Sequence, residues 1–189
     1  MAERGLPRVT VREVAERAGL QPALVNYYFG SKEELLQAVV DRVAGRLLAR
    51  VAESADSDAD PKARLRAVLH SLVVGMSRES YAPRLIVEQV LFGREEVVDD
   101  FVERFASRQF AILDGVISEG RASGAFRDLD PNFLAPQILG GAIFFFLAQR
   151  VLQRLFGIDE ITPELAASYA DHFVDVALHG ICAPPETRE

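Results

Sequence analysis

Along this chain, apolar residues recur at the three-and-four spacing of helices, interrupted by sharp polar or glycine stops, and the two-residue period of strands is almost absent. Val11, Val14, Ala15 and Ala18 follow a Thr10-Val-Arg-Glu13 capping box and precede Gly19, which predicts a helix of about two turns. A second short helix is predicted from about Pro22 to Phe29, with Gly30 as its stop. Ser31-Lys-Glu-Glu34 is another capping box and opens a long helix reaching about Ser54. The polar, acidic run from Ser54 to Asp60 reads as a loop and divides the chain into residues 1–54 and 55–189. Beyond it, Asp60-Pro61, Asp130-Pro131 and Thr162-Pro163 each set a cap acceptor before a proline at the first helical position. Gly93, Gly124, Gly157 and Gly180 fall where helices would end. The body helices are therefore expected at about 61–80, 83–92, 94–123, 131–156 and 163–180. The fold class is all-α, with a small N-terminal helix-turn-helix head on a larger helical body.

Composition narrows the function classes. With 189 residues, 49% hydrophobic and 26% charged, the chain suits a filled core plus a small module, not a disordered segment. Its single cysteine, Cys182, excludes an intrachain disulfide and a cysteine-based zinc cluster, and fits a reducing cytoplasmic location. No apolar leader follows Met1, so no signal peptide is expected. The longest apolar run, Ile138 to Ala148, is shorter than the roughly 20 residues of a membrane span, so no membrane partner is expected either. The net charge of −7 conceals an asymmetry. Residues 1–50 hold 8 basic against 6 acidic side chains, net +2, and the rest is net −9. A mildly basic head permits contact with nucleic acid without proving it.

The two short helices joined by Gly19-Leu20-Gln21 have the length and turn chemistry of a helix-turn-helix. On the second, Val25, Tyr28 and Phe29 share one side, able to face Val14 and Ala18. Gln21, Ala23, Asn26 and Tyr27 share the other, and Leu24 fits neither. The outward set suits a major groove. Gln and Asn pair with base edges, a small Ala permits close approach, and Tyr donates to phosphate. Thr10 and Lys32 flank this face at helix N-termini, which favour phosphate. The blander alternative is a helical hairpin whose Asn and Tyr are surface residues only.

At these residues the chain resembles a family. The stretch 10-TVREVAERAGLQPALVNYYFGSKEELLQAV-39 is similar to the DNA-binding signature of TetR-type transcriptional regulators, in its T-x-R-E-V-A-E-R-A-G, its aromatic pair before Phe and its G-S-K-E-E-L. Carried over position by position, the resemblance implies Thr10, Gln21, Ala23, Asn26, Tyr27 and Lys32 as DNA contacts, with Arg12 nearby. It further implies a double-stranded, near-palindromic operator, a small-molecule effector held in the body, and a homodimer. Family members carry a full amphipathic helix ahead of the A-E-R-G that here is Ala2 to Gly5, so a truncated or misassigned start is the expectation. Lacking that helix, Val14, Val25 and Phe29 would lose apolar cover. The alternative from another class is a helical small-molecule-binding or dimerisation protein that has lost DNA binding.

In the body, the resemblance implies dimerisation through the last two long helices, with Phe144, Leu147, Val151, Tyr169, Phe173 and Val176 as candidate interface residues. Gly140-Gly141 costs helix propensity, which is tolerable where another helix or a ligand approaches closely. An effector pocket is expected among the middle helices, with His70, Met76, Arg84, Glu88, Gln89, Phe92, Phe110 and Gln137 as its candidates. Arg84 would suit an acidic ligand and the phenylalanines an apolar one. His172, Asp175 and His179 share spacings of three and four, but three ligands on one helix rarely converge, so no metal is expected. No glycine-rich phosphate loop and no activated nucleophile is evident, so neither cofactor nor catalysis is expected.

Overall fold

The computed structural model describes residues 10–79 and 81–182, and these form ten α-helices. The head comprises α1 (Val11–Ala18), α2 (Pro22–Phe29) and the start of α3 (Lys32–Ala55). The body follows with α4 (Pro61–Ser77), α5 (Ala82–Ile86), α6 (Glu95–Phe101), α7 (Ser107–Ala122), α8 (Pro131–Leu147), α9 (Gln149–Phe156) and α10 (Pro163–Ile181). The expected missing first helix concerns residues that lie outside the described ones.

The caps form as the sequence implies. Asp60 accepts hydrogen bonds from the Lys62 and Ala63 amides, Asp130 from Asn132, and Thr162 from Leu165. Helix α4 is the hub of the body, packing against α3, α7, α8 and α10. Its Leu65, Leu69, Leu72 and Val73 are buried among Leu47 and Val51 of α3, Val116 and Ile117 of α7, Ile138 of α8, and Ala170 and Val174 of α10. Burying each leucine contributes about 1.5–3 kcal/mol. Small residues let these helices close up. A Cβ on Gly75 would lie 2.6 Å from Leu47 Cδ1, and one on Gly141 would lie 2.6 Å from Phe173 Cε2. Close approach of another helix therefore explains Gly141, whereas Gly140 faces open space in this chain.

Three expected helices differ in detail. The expected helix 131–156 is two helices, α8 and α9, bent by 68° at Ala148. There the Val151 amide bonds back to Ala148 O at 2.7 Å, a tight three-residue closure, while Gln149 and Gln153 hold Asp159 in the following loop. Neither proline nor glycine marks the bend, so the apolar period ran through it. The expected helix 83–92 ends in a π-helical turn, Val87–Leu91, and the expected helix 94–123 contains another, Val102–Ala106, joining α6 to α7. Each π turn admits an extra residue and so rotates the next residues of the chain around the helix axis.

No single helix among the described residues is long and apolar enough to cross a membrane; α8 and α9 reach that length together, but only across their bend.

Helix α3 connects head to body. Its C-terminal half supplies Leu47 and Val51 to the main core, while Val40, Leu36 and Val39 form a second cluster with Leu85, Val90 and Phe101. Arg104, in the second π turn, reaches Asp41 of α3 and Asp100 of α6, each at 2.8 Å.

Candidate nucleic-acid interface and effector cavity

In the head, both capping boxes close as their sequences imply. The Thr10 amide donates to Glu13 Oε2 at 2.9 Å and the Glu13 amide donates to Thr10 Oγ1 at 3.2 Å. Ser31 and Glu34 repeat the exchange at 3.2 and 3.1 Å. Gly19, at φ +68°, ends α1 in the left-handed conformation, and Pro22 opens α2 only three residues later. Gly30 ends α2 at φ +72° and ψ −61°, with the Ser31 amide bonding back to Phe29 O at 2.8 Å. That is a γ-turn, and it aims α2 relative to α3.

This framework leaves Gln21, Ala23, Asn26 and Tyr27 all exposed on α2, with Tyr27 82% accessible. Asn26 therefore presents its amide next to a phenol that projects into solvent. Thr10 is exposed and Lys32 half-buried, each at a helix N-terminus beside this face. Arg12 is exposed too, but pairs with Glu16 at 2.9 Å, an i,i+4 contact that solvent makes weak.

The inner side of α2 departs from expectation. Val25 is only 4% exposed, and Val14 is half-buried, so neither lies open. Tyr28, expected inward beside Val25, is 71% exposed and meets the Tyr27 ring edge-on at 5.5 Å. Phe29 is partly exposed, and so is the unassigned Leu24. The eight-residue α1 buries Ala15 alone among its own residues.

Of the eight effector candidates, Met76 lines a cavity among the described residues, together with Val43, Arg46, Leu47 and Arg50 of α3, Pro83 and Ile86 of α5, Ile143 of α8, and Glu79. Its volume is about 20 Å³, room for a single water. His70 instead faces Asp171 across α4 and α10, at 3.8 Å. Arg84 is paired with Glu88 on its own helical face at 2.7 Å, and the other Glu88 carboxylate oxygen is buried with no hydrogen-bond partner among the described residues. Gln89 is half-buried beside it in the first π turn. Phe92 is 81% exposed because that π turn, by its extra residue, rotates the end of the helix outward. Phe110 and Gln137 lie on the outer faces of α7 and α8. Between α4 and α7 the core is built of packed leucines, valines and an isoleucine, Leu65, Leu69, Leu72, Val73, Leu113, Val116 and Ile117.

The cavity's charged groups, Arg46, Arg50 and Glu79, were not among the expected residues. The signal was present, because Arg46 and Arg50 stand one turn apart and interleave with the apolar Val43 and Leu47. Arg46 Nη1 meets Glu79 Oε1 at 2.6 Å, and Glu79 also accepts a hydrogen bond from the Tyr81 hydroxyl. That hydroxyl bond first, and then Arg46, hold the Glu79 carboxyl below the usual carboxylate value against the opposing effect of burial. Burial, reinforced by Glu79, pushes Tyr81 up.

On α8, α9 and α10, Phe144, Leu147, Val151 and Val176 are exposed. The two other candidate interface residues are engaged within the chain. Tyr169 stacks on Phe145 with ring centres 3.9 Å apart, donates to Gly141 O at 2.6 Å, and stacks on Phe173. Leu155 and Phe156 of α9, unforeseen, extend the exposed apolar surface.

Comparison with known proteins supplies the family. Residues 1–39 match the profile of "Bacterial regulatory proteins, tetR family", and residues 58–187 match "Tetracyclin repressor-like, C-terminal domain". A curated relative, the HTH-type transcriptional regulator BetI of Rhizobium meliloti, is 31% identical over 104 residues, covering 55% of this chain and 50% of its own. The HTH-type transcriptional regulator TtgR of Pseudomonas putida is 32% identical over 114 residues, 59% of this chain and 53% of its own. The chain thus spans about half the length of these relatives. Among solved structures, the ketosteroid transcriptional regulator KstR2 of Mycobacterium tuberculosis superposes with a TM-score of 0.76 at 23% identity, over 97% of this chain and 89% of that one. FadR from Bacillus subtilis, in complex with stearoyl-CoA, gives 0.72 at 21% identity, over 95% and 92%. Those two likenesses establish a shared fold. Head and body both match their respective profiles, and the chain belongs to the TetR family of bacterial regulatory proteins.

Proposed function

We infer that the chain is a ligand-responsive, sequence-specific DNA-binding transcriptional regulator, a repressor that a small molecule releases from its operator. The observation that carries this reading is α2 and its cap, whose outward face leaves Gln21, Ala23, Asn26 and Tyr27 exposed between the helix N-termini of Thr10 and Lys32. A base-edge reader flanked by phosphate anchors is the arrangement a major groove requires. The regulators BetI and TtgR support it, being relatives in name and in sequence.

Two copies acting together would read a near-palindromic site, with half-sites centred about 34–36 Å apart or a multiple of that. The exposed apolar surface of α8 and α10, with Phe144, Leu147 and Val176, continued by Val151 on α9, is the face assigned to self-association. Binding of effector in the body works through α3, which runs from the reader helix into the main core. It weakens DNA binding only to the extent that effector prefers the form unable to bind DNA. The protein acts by binding and not by catalysis, in the cytoplasm where DNA is accessible.

The test is selection of binding sites from a random duplex library with the purified chain. A two-fold symmetric consensus with the stated spacing is the expected result. Enrichment of no sequence, at salt low enough to retain nonspecific binding, rejects the reading.

A further inference from the structure

We propose that the cavity between α3, α4, α5 and α8 takes an apolar carboxylic acid, whose carboxylate binds Arg46 and Arg50 and replaces Glu79 at Arg46. The proposal rests on the effector-responsive reading above and names the effector's chemistry and the contact it breaks.

The cavity wall is mostly apolar, through Val43, Leu47, Met76, Pro83, Ile86 and Ile143. Its charged groups do not balance. Arg46 and Arg50 project from one face of α3, one turn apart, and Glu79 is their only anionic neighbour in the lining. Glu79 is committed to Arg46 and to the Tyr81 hydroxyl, while Arg50 has no side-chain acceptor among the described residues. A surplus positive charge thus stands over an apolar cavity, although residues 51–189 are net −9. A neutral apolar ligand makes no use of that partly solvated charge, and a cationic one is repelled. A carboxylate on an apolar tail satisfies both halves of the site, because the planar guanidinium matches a carboxylate bidentately.

At about 20 Å³ the cavity is shut to such a tail. Its walls must part, and the Arg46–Glu79 pair is the polar tie holding α3 to the turn between α4 and α5. An incoming carboxylate that takes Arg46 removes that tie at the moment the tail enters. Arg46 lies roughly 21 Å along the α3 axis from Lys32, just beyond the reader helix. A small tilt of α3 about the body therefore becomes a larger displacement of α2. The class of effector and the route of the signal both come from the same pair of arginines.

The test titrates hexanoate, octanoate and decanoate, and the matching primary alcohols, into the full chain by isothermal calorimetry. Each acid should bind on the order of tenfold more tightly than its alcohol, with affinity rising with chain length. Arg50→Gln should reduce the preference for acid over alcohol, and Arg46→Gln combined with Arg50→Gln should abolish it. Glu79→Gln should tighten binding of the acids more than that of the alcohols, whereas a merely loosened fold would tighten both alike. Acids that bind no better than alcohols, or that bind more weakly to Glu79→Gln, overturn the proposal. Library selection on the same preparations separates the two claims. A palindromic consensus without acid preference sinks this inference alone, and acid preference without any selected DNA sinks the regulator reading instead.

Discussion

Substitution of Gly30 by alanine should damage the head more than its small size suggests. Gly30 occupies the γ-turn between α2 and α3, at φ +72° and ψ −61°, a conformation that costs a non-glycine residue about 1–3 kcal/mol. A second cost comes from packing. The new Cβ would lie 2.2 Å from Glu34 Oε2, the oxygen that accepts from the Ser31 amide. That carboxylate must leave, and loss of its half of the capping box costs about 1 kcal/mol. The total is about 2–4 kcal/mol. Gly19→Ala is the control, because its φ of +68° is also left-handed but nothing lies within 4 Å of the added Cβ. It should cost only about 1–2 kcal/mol. Urea denaturation followed by circular dichroism measures both, and affinity for a selected duplex measures the head itself. On a Glu34→Ala background, Gly30→Ala should cost only the turn's about 1–3 kcal/mol, because the capping carboxylate is already gone. If Gly30→Ala proves no worse than Gly19→Ala in both assays, the reasoning about the turn and its cap is wrong.

On α7, the same glycine-to-alanine change should have opposite signs at two positions. Gly115→Ala meets nothing within 4 Å and should stabilise by roughly 1 kcal/mol, whereas Gly120→Ala drives its Cβ to within 2.0 Å of Phe126 Cδ2 and should destabilise by about 1–2 kcal/mol net, both read from urea midpoints. Phe144→Glu, on a side chain 69% exposed, should leave the fold of each chain intact and shift sedimentation equilibrium towards monomer; an unchanged association constant rejects the assigned face. Stability should also fall with acid in a Glu79-dependent way. Its folded pKa is lowered, so its contribution is present above the unfolded carboxylate value of about 4.3 and is lost as pH falls through the folded value. Glu79→Gln should flatten that acid limb relative to the parent, and identical limbs in thermal melts would exclude the role.

How much of this was legible in the sequence depended on whether the signal was local. Capping boxes at Thr10 and Ser31, cap-proline pairs at 60, 130 and 162, and the short turn after Gly19 are set by neighbours in the chain, and the corresponding helices begin and end close to where those residues imply. The bend at Ala148 is held by contacts to Asp159, beyond the helix itself, and carries no breaker residue. The π turns shift the facing of Phe92 by a residue that periodicity cannot register. For the reader helix, alternation of faces was enough to separate Asn26 and Tyr27 from Val25, but not to show that Tyr28 turns outward beside Tyr27. The cavity was harder still. Its lining joins four helices, and only their packing brings Ile143 beside Arg46. A hydrophobic period says that Met76 faces inward without saying what it meets.

The most direct test of the central claim compares Asn26→Ala with the parent chain on a selected duplex and on a scrambled duplex of the same length and composition, at one fixed salt concentration. The Asn26 side chain is exposed and makes no hydrogen bond or ion pair among the described residues, so stability should not change. The account predicts that affinity for the selected duplex falls by about 1–3 kcal/mol, roughly five- to 150-fold, while affinity for the scrambled duplex stays the same. An undiminished ratio between the two duplexes would contradict it, and α2 would not be the element that reads DNA.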